Sequence, residues 1–398
     1  MKGTEEIAGL FNRYVMPTYA PSLALVEASG TKVRDADGKE YLDFIAGISV
    51  LNVGHCHPKV VEALRRQAGV LMHVSNLYYT ENQARLAKKL SELSMGGKCF
   101  FCNSGAEANE ALIKLARLWG HEKGKYEIIS MKNSFHGRTL ATAASTGQLK
   151  IQKGFEPMPA GFTHADFNDA GSVKKLVNDK TAAVLLEAVQ GEGGIVPASP
   201  EFMTAVRSLC DEKGLLMLCD EVQCGMGRTG KWFGFQAYDV EPDAFSMAKS
   251  LGSGYPIGAA VAAPGVSDVF GPGNHASTFG GTPLACAAAL ATLEVMEEED
   301  LPSRAGSAGW EFQNSLREIT ADTDRVKSVR GLGLMVGMVL DRPAKPLVSI
   351  MREKGLLALA TAETVVRFLP PLNVKDAEIE QALAITKESV EEWLENDN

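Results

Sequence analysis

The chain has 398 residues, 45% of them hydrophobic and 22% charged, a composition ordinary for a soluble globular protein and a length too great for one simple core. A formal net charge of −9 argues against a nucleic-acid partner or an anionic membrane surface. No apolar run is long enough to span a bilayer, and seven cysteines without regular spacing read as reduced thiols, so a cytoplasmic protein is expected.

Residues 32–44, KVRDADGKEYLDF, carry Asp37-Gly38 between two strand-like segments and predict a hairpin. Further on, His55-Cys56-His57 offers two histidines but no third and fourth ligand at useful spacing, so a loop or cap role is expected and no metal site. From about residue 98, apolar runs of strand length alternate with amphipathic helix-length segments. The runs are CFFC (99–102), EIISM (127–131), AAVLLEAV (182–189), GLLMLCD (214–220), AFSMA (244–248) and IGAAVAA (257–263). If KCFFC is a strand, alternation sends Cys99 and Cys102 to opposite faces, where they neither pair nor share a metal. Helices are predicted over 107–119, 201–213 and 283–298, the last with Thr282 as N-cap and Pro283 at its first position. Continuous apolarity without alternation suits strands covered on both faces. The fold class is therefore α/β, with a mostly parallel central sheet flanked by helices.

Beyond residue 298 the pattern predicts a helix, a strand at 331–340, another helix, a strand at 364–368 and a final helix at 376–395. This divides the chain into an N-terminal segment with the hairpin (1–55), a large domain (56–298) and a small C-terminal α+β domain (299–398).

Ligands of open α/β sheets bind beyond the carboxyl ends of the strands, so the residues following each run are the candidates. Ser104-Gly105-Ala106 opens a helix; it fits a phosphate site and equally an ordinary strand–helix turn. Phe135 and Arg138 lie in the loop after EIISM. Glu187 falls inside its apolar run and needs a partner if buried, and Gln190-Gly191-Glu192-Gly193-Gly194 reads as a flexible loop around a carboxylate. Asp220-Glu221-Val222-Gln223 ends the next strand, and Lys249 follows AFSMA. A lysine just past a strand can simply reach water. A phosphate cradle, an aromatic plate, a buried acid and an amine in one pocket instead suit pyridoxal phosphate. No glycine-rich dinucleotide fingerprint, P-loop or nucleophile elbow accompanies them.

These segments resemble the class III pyridoxal-phosphate aminotransferases, most closely the acetylornithine type, over nearly the whole chain. The similarity rests on NSGAEANEALIKLAR (103–117), SFHGRT (134–139), EAVQGEGG (187–194), LCDEVQCGMGRTG (218–230), MAKSLGSGYPIGA (247–259), STFGGTPLACAAALATLEV (277–295) and VVRFLPP (365–371). The resemblance implies a fold-type I transferase and a homodimer with shared sites. It further implies that Lys249 is the catalytic residue, linked to the cofactor as a Schiff base. Asp220 would face the pyridine nitrogen, Gln223 the phenolic oxygen and Phe135 the ring, with Ser104, Gly105, Ala106, Glu221 and Val222 completing the cofactor site. Thr278 would reach the partner's phosphate, with Ser277 beside it. Arg138 would hold the donor's far carboxylate, and Arg367 would receive 2-oxoglutarate when Glu192 uncovers it. Tyr19 would contact the donor. The expected reaction transfers the terminal amine of N-acetylornithine to 2-oxoglutarate. Succinylornithine, ornithine, acetyl-lysine and 4-aminobutyrate are alternative donors, and a non-catalytic cofactor-binding protein is the alternative of a different kind. Ala276 and Thr282 depart from the usual family residues at the Ser277-Thr278 loop.

Overall fold

The first sheet of the computed structural model, which describes residues 3–396, is the predicted hairpin extended by one strand on either edge. β1 (Leu25–Ser29), β2 (Lys32–Asp35) and β3 (Glu40–Asp43) pair antiparallel, with Gly38 at φ +94° in the expected turn. Asp35 fixes that turn by accepting hydrogen bonds from the amides of Asp37 and Lys39 and from the Tyr41 hydroxyl.

The central sheet uses β4 (Lys98–Cys102), β5 (Glu127–Met131), β6 (Phe162–Ala165) and β7 (Thr181–Leu186). A short ribbon, β8 (Val189–Gln190) with β9 (Val196–Pro197), precedes β10 (Leu216–Asp220), β11 (Ala244–Met247) and β12 (Gly258–Ala262). The strand order is β4-β12-β11-β10-β7-β5-β6. β12 runs antiparallel to both neighbours, while β11, β10, β7, β5 and β6 pair in parallel. Every residue of β7, β10, β11 and β12 is buried, because successive side chains enter two different apolar layers. Val184, Leu186, Met217 and Phe245 join one cluster; Ala183, Leu185, Leu218 and Ala244 join the other. Cys99 packs toward the first cluster and its neighbour Phe100 toward the second, and all seven cysteines are free thiols.

The helices cover those layers. Gly105–Gly120 lays Ala111, Leu112 and Leu115 on one face of the sheet. Pro200–Lys213 and Pro283–Glu298 cover the other, each capped by a hydroxyl, Ser199 on the amide of Phe202 and Thr282 on that of Ala285. Parallel pairing brings the carboxyl ends of β5, β7, β10 and β11 to one edge. β4 points the same way, since β12 opposes both β4 and β11.

Past residue 298 the structure departs from expectation at one strand. The run 331–340 is no single strand but contains the turn of a hairpin that joins β13 (Val326–Leu332) to β14 (Met335–Leu340). Gly333 turns it at φ +55°, where a Cβ would lie 2.5 Å from the carbonyl oxygen of Arg228. β15 (Leu356–Leu357) pairs in parallel with β3, whereas β16 (Leu359–Thr361) and β17 (Val365–Phe368) complete a second sheet in the order β13-β14-β17-β16. Arg228, fully buried, joins distant parts of the chain. It donates to Ser49 Oγ, Asn52 Oδ1 and the carbonyls of Leu334 and Pro370 at 2.7–2.9 Å. Among the described residues no helix is long and apolar enough to cross a membrane, and no cluster suits a metal ion.

Candidate active site

A cavity of about 440 Å³ opens at the carboxyl edge of the central sheet and is lined by Ser104, Phe135, Asp220, Gln223 and Lys249 among others. β10 and β11 pair in parallel with Asp220 opposite Ser246, so the residue three positions beyond Ser246 emerges at the same edge as Asp220. That residue is Lys249, held at φ +38°, in the left-handed region that a lysine seldom occupies. Desolvation and then the nearby Arg367 charge hold its ammonium below the usual lysine range, against the pull of Glu192, Asp220 and Glu187. No side-chain partner holds the Lys249 amine among the described residues.

Asp220 is buried and fully tied. One carboxylate oxygen accepts from His136 Nδ1 and Asn109 Nδ2, both at 2.8 Å; the other accepts from the amide of Val222 at 3.0 Å. Burial pulls the His136 imidazole down, but its hydrogen bond to Asp220 and that carboxylate's charge outweigh burial and leave it raised. Ser246 Oγ donates to Asn109 Oδ1 at 2.6 Å and so orients the amide that supports Asp220. His136, Asn109 and Ser246 received no role from the sequence. A polar residue amid Ala108, Ala111 and Leu112 on a buried helix face was the available signal for Asn109.

Ser104 caps the helix Gly105–Gly120 through the amide of Glu107. The amides of Gly105 and Ala106, at the head of that helix, face the cavity without a partner among the described residues. A Cβ on Gly105 would lie 2.7 Å from Val222 Cγ1, so glycine is needed for the helix to approach that loop. Glu187 lies just past β7, not inside it. Its two carboxylate oxygens accept from the amides of Phe135 and Gly191, both at 3.2 Å, and burial pushes its pKa up to about 7.

Arg138 sits exposed at the rim, its guanidinium 5.5 Å from the centroid of Phe135. Arg367, on β17 and 1% exposed, donates through Nη1 to Glu192 Oε1 at 2.6 Å and to Gln223 Oε1 at 3.1 Å. Burial opposes ionisation of Glu192, but the charge and hydrogen bond of Arg367 win and hold its carboxyl below the usual range. Arg367 Nε and Nη2 are buried with no hydrogen-bond partner among the described residues.

Glu192 and Arg367 adjoin the cavity through Gln223 without lining it, and four further expected residues lie elsewhere. Glu221 turns away from the cavity, because consecutive residues leaving a strand point to opposite sides. Its carboxylate accepts from the amides of Gly234 and Phe235, and burial raises its pKa to about 7. Tyr19 is 82% exposed and does not line the cavity. Ser277 and Thr278 line a different hollow, with Ser277 Oγ accepting from Asn103 Nδ2 and the amide of Gly280.

A family model described as aminotransferase class-III matches residues 14–390. The acetylornithine aminotransferase of Methanocaldococcus jannaschii is 52% identical over 90% of this chain and 91% of its own. That of Caldanaerobacter subterraneus subsp. tengcongensis is 49% identical over 96% and 98%. Among solved structures, the ornithine aminotransferase of Toxoplasma gondii superimposes with a TM-score of 0.96 at 33% identity, covering 100% of this chain and 97% of its own. Another structure of that enzyme, 34% identical with a TM-score of 0.94 over 98% of this chain and 94% of its own, is described with PLP partly occupying its active site. The cavity fits that group, with free helix-terminal amides for a phosphate, a carboxylate fixed by His136 and Asn109 for a ring nitrogen and a lysine amine without a side-chain partner among the described residues. Agreement along nearly the full length leaves one assignment: the chain belongs to the class-III aminotransferases, with pyridoxal phosphate as cofactor.

Proposed function

We propose that this protein transfers the terminal amino group of N-acetylornithine to 2-oxoglutarate, giving N-acetylglutamate semialdehyde and glutamate. The observation that carries the reading is the pairing of an unpartnered lysine amine, its pKa lowered, with an arginine covered by a single carboxylate. Bound pyridoxal phosphate supplies a carbonyl that captures amines and a ring that draws electrons from the reacting carbon. Lys249 would anchor the cofactor and, once displaced by substrate, move a proton at that carbon; burial and the Arg367 charge shift its amine toward the free-base form this needs. Asp220, fixed by the hydrogen bonds that His136 and Asn109 donate to it, would hold the ring nitrogen. Gly105 and Ala106 offer amides to the phosphate.

The two substrates differ at the carbon that reacts. A terminal amine carries no carboxylate there, and with Glu192 on Arg367 that pair meets it with its charges balanced. 2-Oxoglutarate brings a carboxylate, which takes the place of Glu192 and finds Arg367 Nη2 and Nε unused. Arg138 at the rim suits the far carboxylate of either substrate.

The active form is a homodimer in this reading. Thr278 is exposed and outside its own chain's cavity, next to Phe279 at 61% exposure. Leu77, Tyr78 and Tyr79 are 79%, 71% and 107% exposed, an apolar face that a second copy would cover.

Names of the relatives above favour the acetylated donor, whereas the T. gondii structures bear the name of the free-ornithine enzyme. Initial rates of glutamate formation with N-acetylornithine, N-succinylornithine, ornithine and 4-aminobutyrate decide between them. N-Acetylornithine should exceed ornithine in kcat/KM by about tenfold or more. Preference for ornithine would overturn the donor, and transfer from none of them would overturn the reaction.

A further inference from the structure

The glycine-rich segment 190–194 looks built for mobility, yet its packing is tight. A Cβ on Gly191 would lie 2.4 Å from the Gln223 side chain, and one on Gly193 would lie 2.9 Å from Asn133 O and from Gln190 Oε1. Gly194, at φ +103°, has room for a Cβ only 3.0 Å from that of Ala362 and 3.2 Å from Arg330 Nη2. These glycines permit close approach on every side and give the segment no free space.

Hydrogen bonds hold the same backbone. Arg330, on β13, donates Nε and Nη2 to the carbonyl of Gly194 at 3.2 and 2.8 Å. Thr361, at the end of β16, donates Oγ1 to the carbonyl of Glu192 at 3.1 Å. At the other end the amide of Gly191 donates to Glu187 Oε1 at 3.2 Å. Moving the loop away from Arg367 would break all of these bonds and open buried contacts. Rotating the Glu192 side chain breaks its ion pair with Arg367, and that side chain already reaches solvent at 32% exposure.

We propose that Arg330 and Thr361 are positioning residues that clamp the 191–194 backbone, so that donor and acceptor exchange by rotation of the Glu192 side chain on a fixed frame. This rests on the reading that Glu192 and Arg367 sort the two substrates. Neither Arg330 nor Thr361 lines the cavity, and each acts on a backbone carbonyl of the loop. The frame keeps the Glu192 carboxylate in register with Arg367 while a terminal amine is bound. Without it Arg367 stands uncompensated, and the site turns toward amino donors that carry a carboxylate on the reacting carbon.

The test uses the cofactor-loaded enzyme and compares kcat/KM for N-acetylornithine with kcat/KM for glutamate in the reverse direction. Arg330→Met and Thr361→Val should each lower the ratio of the first to the second by about tenfold, the scale of one lost buried hydrogen bond. Arg330→Lys, which keeps the charge and can restore one of the two hydrogen bonds to Gly194, should recover part of it. An equal fall in both directions would mark the two residues as merely structural and overturn the proposal. Glu192→Gln separates the two layers of the argument. If it shifts the ratio and the frame variants do not, the frame is wrong and the exchange stands. If Glu192→Gln leaves the ratio unchanged, the exchange itself fails and the frame with it.

Discussion

At the scale of single residues, charge at the site is arranged by neighbours that sequence order conceals. Lys249 and Asp220 were legible because each follows an apolar strand-length run and strand ends of a parallel sheet converge. The groups that hold Asp220 were not, since Asn109 and His136 stand 111 and 84 positions away along the chain. Glu221 shows the opposite case: the resemblance implied a cofactor contact, and strand geometry turns the side chain into the opposite layer, against two backbone amides. That burial has a thermodynamic consequence. With its folded pKa raised from 4.5 to about 7, the neutral carboxyl is the form the fold favours. Its contribution to stability is full below 4.5 and declines as pH rises to about 7. Glu221→Gln, neutral throughout, should therefore gain on wild type across that interval by about 3 kcal/mol and stay level above it. Urea midpoints measured from acid to mildly alkaline pH check this; a pH-independent difference would refute it.

Elements tell a more even story. The helix Pro283–Glu298 has the predicted ends because Thr282 and Pro283 define its start locally, and EIISM coincides with β5 for the same local reasons. Where tertiary contacts decide, the sequence misleads. AAVLLEAV stays apolar beyond the strand, but β7 ends at Leu186 so that Glu187 can meet the amides of two loops. The stretch 331–340 hides a hairpin, and the reason for glycine at its turn, the backbone of Arg228 packed 2.5 Å from where a Cβ would lie, is a tertiary contact. Likewise the glycines of 191–194 read as flexibility and prove to be close packing. The junction of β4 with its helix carries a prediction of this kind. Gly105→Ala would press a methyl group into Val222, 2.7 Å away, and push the helix terminus off the phosphate position. Pyridoxal phosphate affinity, followed by fluorescence titration of the apoprotein, should weaken roughly ten- to a hundredfold. Unchanged affinity would mean that these amides do not hold the phosphate.

Across the whole molecule, the ends of the chain return to the site. β15 joins the N-terminal sheet beside β3, and Arg228 bonds to Ser49, Asn52, Leu334 and Pro370, so Arg367 and Glu192 meet on a frame assembled from all three regions of sequence. None of these joints has a local signal. The proposal that two copies share each site makes a prediction that no single chain can mimic. Lys249→Ala and Thr278→Asp should each be inactive alone. Dissociated and reassembled together, they form heterodimers with one intact site, and activity should return to about a quarter of wild type. No recovery from a mixture shown to exchange subunits would count against a shared site. The central claim, that Lys249 carries the cofactor in an amine-transferring site, is tested most directly by visible absorption. The pyridoxal-phosphate-loaded protein is titrated with N-acetylornithine and then with 2-oxoglutarate. The band of the lysine-bound cofactor should bleach with the first and return with the second, and Lys249→Ala should show neither change. A band that forms yet ignores every amine donor, or one that persists and cycles in Lys249→Ala, would contradict the account.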